Sequence, residues 1–326
     1  MNSELYKICE RFIENRDAFR KADIWELSIM YPICAGVVLS KNKVFTPEEI
    51  KECRNIIKKN TGLFSYFKGF AQLPTAAILL GESDSERKFS EITEAYSALK
   101  KYFFSSENLV FAAIAMTEVS SPLRYDETAK RARHIFELVR KNHPVITHSE
   151  DIAFCVLMTI SEKSDELLVE EAEKCFKLLK NEFFSADCVQ GLALVLSLID
   201  NMTVEEKYSR TLDLYYALRE RGIKYSRGAY LPTIGGLAAL CDNIPSTADD
   251  IAGVYIHLKT QKGYGALTIP KTERALHALM IVASQGAEKI PGLEVSAALS
   301  TVLVVASQIS ALSAAAASSA AAAAAT

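Results

Sequence analysis

The chain is built from a unit of two helices, and residues 171–202 display this unit most clearly. The first half carries apolar residues at spacing i, i+3, i+4, i+7: Ala172, Cys175, Phe176 and Leu179. A break at Phe184 to Asp187 separates this stripe from a more apolar segment, Val189 to Ile199. The pattern predicts an amphipathic helix, a tight turn and a second helix that is buried more completely.

The same stripe recurs along the chain at a nearly constant spacing. The aromatic residue in the third position of each stripe serves as an anchor: Tyr96, Phe136, Phe176, Tyr215 and Tyr255. These anchors are 40, 40, 39 and 40 residues apart. Two units also share a break, Phe103-Phe104-Ser105 and Phe183-Phe184-Ser185. Coincidence among ordinary amphipathic helices is the alternative, but the constant spacing favours a structural repeat of about 40 residues.

Helix boundaries agree with this interpretation. Thr46-Pro47-Glu48-Glu49 and the pair Thr203 and Glu206 are typical of capping boxes. Glycines 62, 81, 222 and 263 stand where helices are expected to end. In the first two hairpins we expect second helices over 22–39 and 64–81, with Pro74 kinking or restarting the latter.

The predicted fold is all-α, an array of about seven helical hairpins with a 40-residue repeat. Such units bury their apolar faces only by stacking, which gives either an α-solenoid or a closed toroid. We expect a single helical repeat domain over residues 1–290, a C-terminal capping helix over 291–312 and an Ala/Ser low-complexity tail over 313–326. The segment 295–326 contains no charged residue. A membrane span there is the alternative, but serines and alanines dilute its hydropathy.

Composition narrows the functional classes. The net charge is −3, from 37 basic and 40 acidic residues, which argues against a nucleic-acid-binding protein. The N-terminal segment alternates charged and apolar residues, so no signal peptide is expected. Seven cysteines without a CxxC motif are typical of reduced thiols in a cytoplasmic protein.

Few residues suggest a metal, cofactor or catalytic site. The five histidines lack metal-site spacing, so neither a metal nor a cofactor is expected. GxSxG and phosphate-binding glycine motifs are absent from the sequence. No catalytic residue is assigned, and an enzymatic role is left open although the sequence leans against it.

The basic, aromatic loop Arg219 to Thr233 differs from the other loops. Its candidate ligand-binding residues are Lys224, Tyr225, Arg227 and Tyr230. Cations and helix-start amides suit a phosphate or carboxylate, and tyrosines supply apolar walls with a polar tip. The alternative is a solvated loop whose tyrosines pack the corner of the hairpin.

Several short motifs resemble those of a known family. They are Ala71-Gln72-Leu73-Pro74-Thr75-Ala76-Ala77, the run from Tyr225-Ser226-Arg227-Gly228 to Leu231-Pro232-Thr233, and the Ala-rich ending. With these motifs the chain resembles the uncharacterised bacterial family "domain of unknown function 4003" over nearly its whole length. The resemblance implies a bacterial, cytoplasmic protein and supplies no activity, cofactor or catalytic residue.

Three functions compete at this point. The first is a cytoplasmic interaction scaffold with a protein partner, because helical arrays expose long binding surfaces. The second is an enzyme or small-molecule anion binder with a pocket near residues 219–233. The third is a membrane-associated protein held by the apolar C-terminal segment. The oligomeric state is left open.

Overall fold

A computed structural model describes residues 1–24, 26–224, 230–265 and 269–288. Within these residues there are fourteen α-helices and no strand, so the all-α prediction is confirmed. The helices are α1 (Ser3–Ala22), α2 (Met30–Val37), α3 (Pro47–Lys59), α4 (Gln72–Leu79), α5 (Ser85–Lys100), α6 (Glu107–Val119), α7 (Tyr125–Asn142), α8 (Asp151–Met158), α9 (Asp165–Leu179), α10 (Ala186–Leu196), α11 (Val204–Glu220), α12 (Leu231–Leu240), α13 (Ile244–Thr260) and α14 (Lys271–Glu288). The predicted helix over 291–312 and the tail over 313–326 lie outside the described residues.

Odd-numbered and even-numbered helices have different surfaces. The odd-numbered helices bury one stripe, as α7 does with Ala132, Ile135, Phe136 and Val139. The even-numbered helices α2 and α8 are short, and every one of their residues is buried. A helix that is apolar all round belongs inside a core. The even-numbered helices therefore form most of the interior, and the odd-numbered helices enclose them.

Packing follows the order of the chain. Each odd-numbered helix packs against the even-numbered helix that follows it and against the next odd-numbered helix. In addition, α1 packs against α13 and α14, and α2 packs against α14. The first hairpin is therefore in contact with the last.

Prolines explain where the predicted boundaries are wrong. The second helices predicted over 22–39 and 64–81 are shorter, Met30–Val37 and Gln72–Leu79. Pro32 and Pro74 are the third residues of these helices. Because proline lacks an N–H group, it is tolerated only in the first helical turn, and the helix begins just before it.

The predicted caps are present. Thr46 with Glu49 and Thr203 with Glu206 form capping boxes, in which each threonine hydroxyl accepts from the glutamate N–H. Gly81 and Gly222 have φ angles of 74° and 77°, which glycine adopts without a steric penalty. A Cβ at residue 81 would also lie 3.2 Å from the Phe45 ring.

Burial explains the state of the cysteines. Five of the seven are buried, and none forms a disulfide. Burial raises the pKa of the Cys9 thiol to about 12 and that of the Cys53 thiol to about 11. The thiolate is the reactive form, so these side chains act as small apolar core residues.

Candidate functional site

The loops that join each odd-numbered helix to the following even-numbered helix lie at one end of the molecule. Their equivalence is visible in ring contacts, because four of these loops pack a ring against the aromatic anchor of the next odd-numbered helix. Centroid distances are 5.2 Å for Phe67 and Tyr96, 5.5 Å for Phe103 and Phe136, 4.2 Å for His143 and Phe176, and 5.0 Å for Phe183 and Tyr215. The same contact from hairpin to hairpin places these loops on a common side, and we name that side the loop end.

Exposed apolar side chains are concentrated at the loop end. The most exposed of them in these loops expose between 69% and 113% of a reference side chain: Ile24, Leu63, Phe64, Phe104, Val145 and Phe184. Isolated exposed apolar residues are common, but several at one end of a molecule mark an interaction surface. Leu123 and Leu167 are the main exceptions, and they lie towards the opposite end.

Four of these side chains share one position in the 40-residue spacing. Residues 24, 64, 104 and 184 are Ile, Phe, Phe and Phe, and we name them the apolar tips. Phe103 and Phe183, which precede two of the tips, pack inwards on the next anchor. One aromatic residue therefore holds each of these two loops in place while its neighbour faces solvent.

The ends of the odd-numbered helices carry opposite charges. At the loop end the last turns contain basic residues: Arg20, Lys21, Lys58, Lys59, Lys100, Arg140, Lys141, Lys177, Arg219 and Lys259. First turns contain acidic residues: Glu4, Glu48, Glu49, Glu86, Asp126, Glu127, Asp165, Glu166, Glu205 and Glu206. Each choice complements the helix dipole. Because the odd-numbered helices run in the same direction, their basic last turns lie at the loop end and their acidic first turns lie at the opposite end.

The residues predicted in the loop Arg219 to Thr233 do not all share one environment. Lys224 is exposed at the loop end, whereas Tyr230 is buried and precedes the first residue of α12. Tyr225 and Arg227 lie outside the described residues. Arg221 is held by Asp249, with 2.7 Å between Nε and Oδ1. The role of Tyr230 as an apolar wall of a ligand site stays a prediction.

Sequence reasoning missed a buried polar cluster where α1 meets α13 and α14. The Tyr264 hydroxyl lies 3.0 Å from His277 Nδ1, and the Arg16 guanidinium lies 5.4 Å from the centre of the Tyr264 ring. Arg274 Nη2 donates to the Tyr255 hydroxyl at 2.8 Å. All but Tyr255 are buried, and Arg16 Nη1, Arg274 Nε and His277 Nε2 have no hydrogen-bond partner in the described structure.

The electrostatics of this cluster follow from its burial. Desolvation, together with the positive charge of Arg16, lowers the pKa of His277 to about 3. Burial also raises the pKa of Tyr264 well above its usual value. His277 is therefore neutral and Tyr264 is protonated at neutral pH. The cluster joins residues more than 250 positions apart, so no local sequence motif indicates it.

Two hollows in the described structure differ in volume and shape. A cavity of about 10 Å³ lies beside His143, Glu173, Phe176 and Gln190, with 2.6 Å between His143 Nε2 and Glu173 Oε2. That volume holds about one water molecule and no substrate. A shallow surface depression of about 330 Å³ lies between α5 and α7, lined by residues such as Glu94, Lys101 and Asp126.

The described residues contain neither a metal-binding group of side chains nor a membrane-spanning helix. No group of three or more His, Cys, Asp or Glu side chains there is arranged to hold a metal ion. None of the helices in this part of the chain combines the length and the apolar character needed to cross a bilayer.

Asp151 next to the small cavity makes stability depend on pH. It is buried, and desolvation raises its pKa from 3.8 to about 6, although the His148 N–H donates to its carboxylate at 2.8 Å. A carboxyl group with a raised folded-state pKa stabilises the protein below its unfolded-state pKa. That stabilisation is lost as the pH rises through the folded-state pKa.

We therefore expect Asp151→Asn to stabilise the protein at pH 7.5 by roughly 2–3 kcal/mol, because the variant removes a buried charge and keeps an acceptor for the His148 N–H. At pH 4 the gain should nearly vanish. Urea unfolding of both proteins at the two pH values measures the difference. An equal change in the free energy of unfolding at both pH values would contradict the assignment.

Comparison with known proteins identifies the family. Residues 17–310 match the family described as "Protein of unknown function (DUF4003)". The chain belongs to this family. It is 21% identical over 224 residues to "Uncharacterized protein YeaA" of Bacillus subtilis (strain 168), which covers 66% of this chain and 67% of that protein. No solved structure matches the chain. The resemblance stated from the short motifs is thus confirmed, and it brings no activity with it.

Proposed function

We propose that the protein is a cytoplasmic interaction scaffold that engages its partner through the loop end. The observation that carries this proposal is the recurrence of exposed apolar side chains at residues 24, 64, 104 and 184. Burying four large apolar side chains is a gain that a monomer in water does not obtain. The small volume of the enclosed cavity gives no competing support for a substrate pocket beside His143.

The scaffold in this proposal is a repeat array of seven hairpins closed into a ring. Two observations support closure rather than an open solenoid. The ring contacts recur from hairpin to hairpin, and α1 and α2 pack against the last hairpin. A closed ring holds all seven loops in a fixed arrangement, so the tips meet a partner without a large ordering cost.

A variant without the exposed rings of the tips tests whether partner binding depends on them. We name as the tip variant the full chain with Phe64→Ser, Phe104→Ser and Phe184→Ser. The control carries Leu123→Ser and Leu167→Ser towards the opposite end, where both leucines are exposed. In affinity capture from cell extract, the parent and the control should retain the same molecules and the tip variant should lose them. Identical retention by all three proteins would contradict the proposal.

A second candidate function is the binding of a small anion, and the cluster of Arg16, Arg274 and His277 favours it. Each of these buried side chains has an unpartnered nitrogen, and buried donors without partners cost free energy. A phosphate or carboxylate would satisfy them. The loop residues Lys224, Tyr225, Arg227 and Tyr230 remain the second proposed location.

Thermal unfolding in phosphate or citrate tests anion binding at this cluster. Both anions should raise the melting temperature of the parent protein, and Arg274→Gln should abolish the rise. Arg87→Gln is the matched control, because Arg87 lies at the surface outside both candidate sites and pairs with Glu91. An equal rise in both variants would exclude the cluster.

A further inference from the structure

We propose that the loop end docks on the surface of a lipid bilayer that contains anionic lipids, without crossing it. This inference rests on the proposed function, because both place the interaction surface at the loop end. The partner is defined by its chemistry: a surface of negatively charged headgroups above apolar acyl chains.

The apolar tips suit a bilayer because they lie in separate loops and are largely exposed. Phe64, Phe104 and Phe184 expose 94%, 97% and 113% of a reference side chain, so none of them packs in a groove or a continuous patch. A protein partner would need a matching pocket for each ring. The boundary between headgroups and acyl chains accepts apolar side chains wherever they enter, provided that they reach a similar depth.

The tips should reach a similar depth in the bilayer where they occupy equivalent positions in the fold. The tips stand at residues 24, 64, 104 and 184, and Phe103 and Phe183 hold two of these loops by the same contact with the next anchor. In the loop of residues 143–150 the exposed residue is Val145, one position further along. The shared ring contact therefore supports a similar depth for Phe104 and Phe184, whereas Phe64 lies in a longer loop whose inward ring is Phe67.

Basic side chains at the loop end complement the apolar contact between the tips and the bilayer. Basic residues end the seven odd-numbered helices, so lysines and arginines such as Lys58, Lys59 and Lys141 stand behind the tips at the level of the headgroups. Attraction of basic side chains to anionic headgroups adds to the apolar contribution. The acidic residues at the opposite end are repelled by the same surface, which orients the molecule with its loop end towards the bilayer.

Sedimentation with vesicles tests the inference on the full chain. We expect the protein to sediment with vesicles of equal parts phosphatidylglycerol and phosphatidylcholine, and at least tenfold more weakly with pure phosphatidylcholine vesicles. The tip variant should lose at least tenfold in apparent affinity for the anionic vesicles, and the control with Leu123→Ser and Leu167→Ser should match the parent. Because the altered residues of the tip variant are exposed, its melting temperature should stay close to that of the parent.

Charge is tested separately by Lys58→Glu with Lys59→Glu. Both lysines are exposed in the last turn of α3, and the double change should weaken binding to anionic vesicles several-fold. Raising the salt concentration should weaken the binding of the parent in the same direction.

The outcomes separate this inference from the proposed function. Absence of vesicle binding, or vesicle binding that the tip variant retains, overturns the bilayer as the partner. If vesicles do not bind while proteins captured from extract still depend on the tips, the partner is a protein and the proposed function stands. If neither vesicles nor captured proteins depend on the tips, both proposals fail.

Discussion

Replacing Phe136 or Phe176 by alanine should lower the free energy of unfolding by ~3–5 kcal/mol. Both anchors are buried, with exposed fractions of 6% and 8%. The Phe136 ring meets Phe103 of the preceding hairpin edge to face, and the guanidinium of Arg133 lies 5.8 Å from its centre. The substitution thus removes core packing and a contact between hairpins together.

Phe184→Ala is the matched control for these variants. Phe184 is also an aromatic residue at the 40-residue spacing, but its side chain is fully exposed, so the change should alter stability by no more than ~0.5 kcal/mol. Chemical denaturation of the three variants against the parent gives the comparison. Stabilities of Phe136→Ala and Phe176→Ala close to that of the parent would mean that the anchors do not bear on the packing of neighbouring hairpins.

The anchors were predictable because helix burial is a local property. An apolar stripe with helical spacing specifies which face of α7 or α9 turns inwards, whatever the helix packs against. Caps are equally local, and the threonine at 46 and the glutamate at 49 are sufficient to form one. Prolines in the first turn displaced the predicted starts of α2 and α4, because the apolar pattern continues through the preceding loop.

The sequence predicted only part of the loop end. The pairs Phe103-Phe104 and Phe183-Phe184 marked a shared break, but loops lack a periodicity that separates an inward ring from an outward one. In the structure the first ring of each pair packs on the next anchor and the second is exposed. The 40-residue spacing of residues 24, 64, 104 and 184 was the available signal for the tips.

The buried polar cluster could not be derived from spacing along the chain. Arg16 and His277 come together only because the first hairpin contacts the last, which is a property of the whole fold. Apolar periodicity predicts which face of a helix is buried. It does not predict which distant helix packs against that face. A basic and aromatic loop such as Arg219 to Thr233 is easier to notice, although its Tyr230 is buried.

Replacing Tyr264 by alanine should cost ~3–5 kcal/mol and loosen both ends of the chain together. Tyr264 is among the largest fully buried side chains, and it contacts Arg16 of α1 and His277 of α14. Tyr264→Phe keeps the ring but leaves His277 Nδ1 without its partner, so it should cost ~1–3 kcal/mol. Tyr216→Ala is the control, because Tyr216 is partly exposed on α11 and should cost ~1 kcal/mol or less.

Hydrogen exchange distinguishes a closed ring from an open array in the Tyr264→Ala variant. If the ring is closed through this cluster, amide protection should fall in α1 and α14 together, because each helix covers the other across the junction. Amides of α7 and α9, which lie several hairpins away along the chain, should keep most of their relative protection. A loss confined to α13 and α14, with α1 unchanged, would show that the contact between the first and last hairpins contributes little, and the array would then behave as an open solenoid.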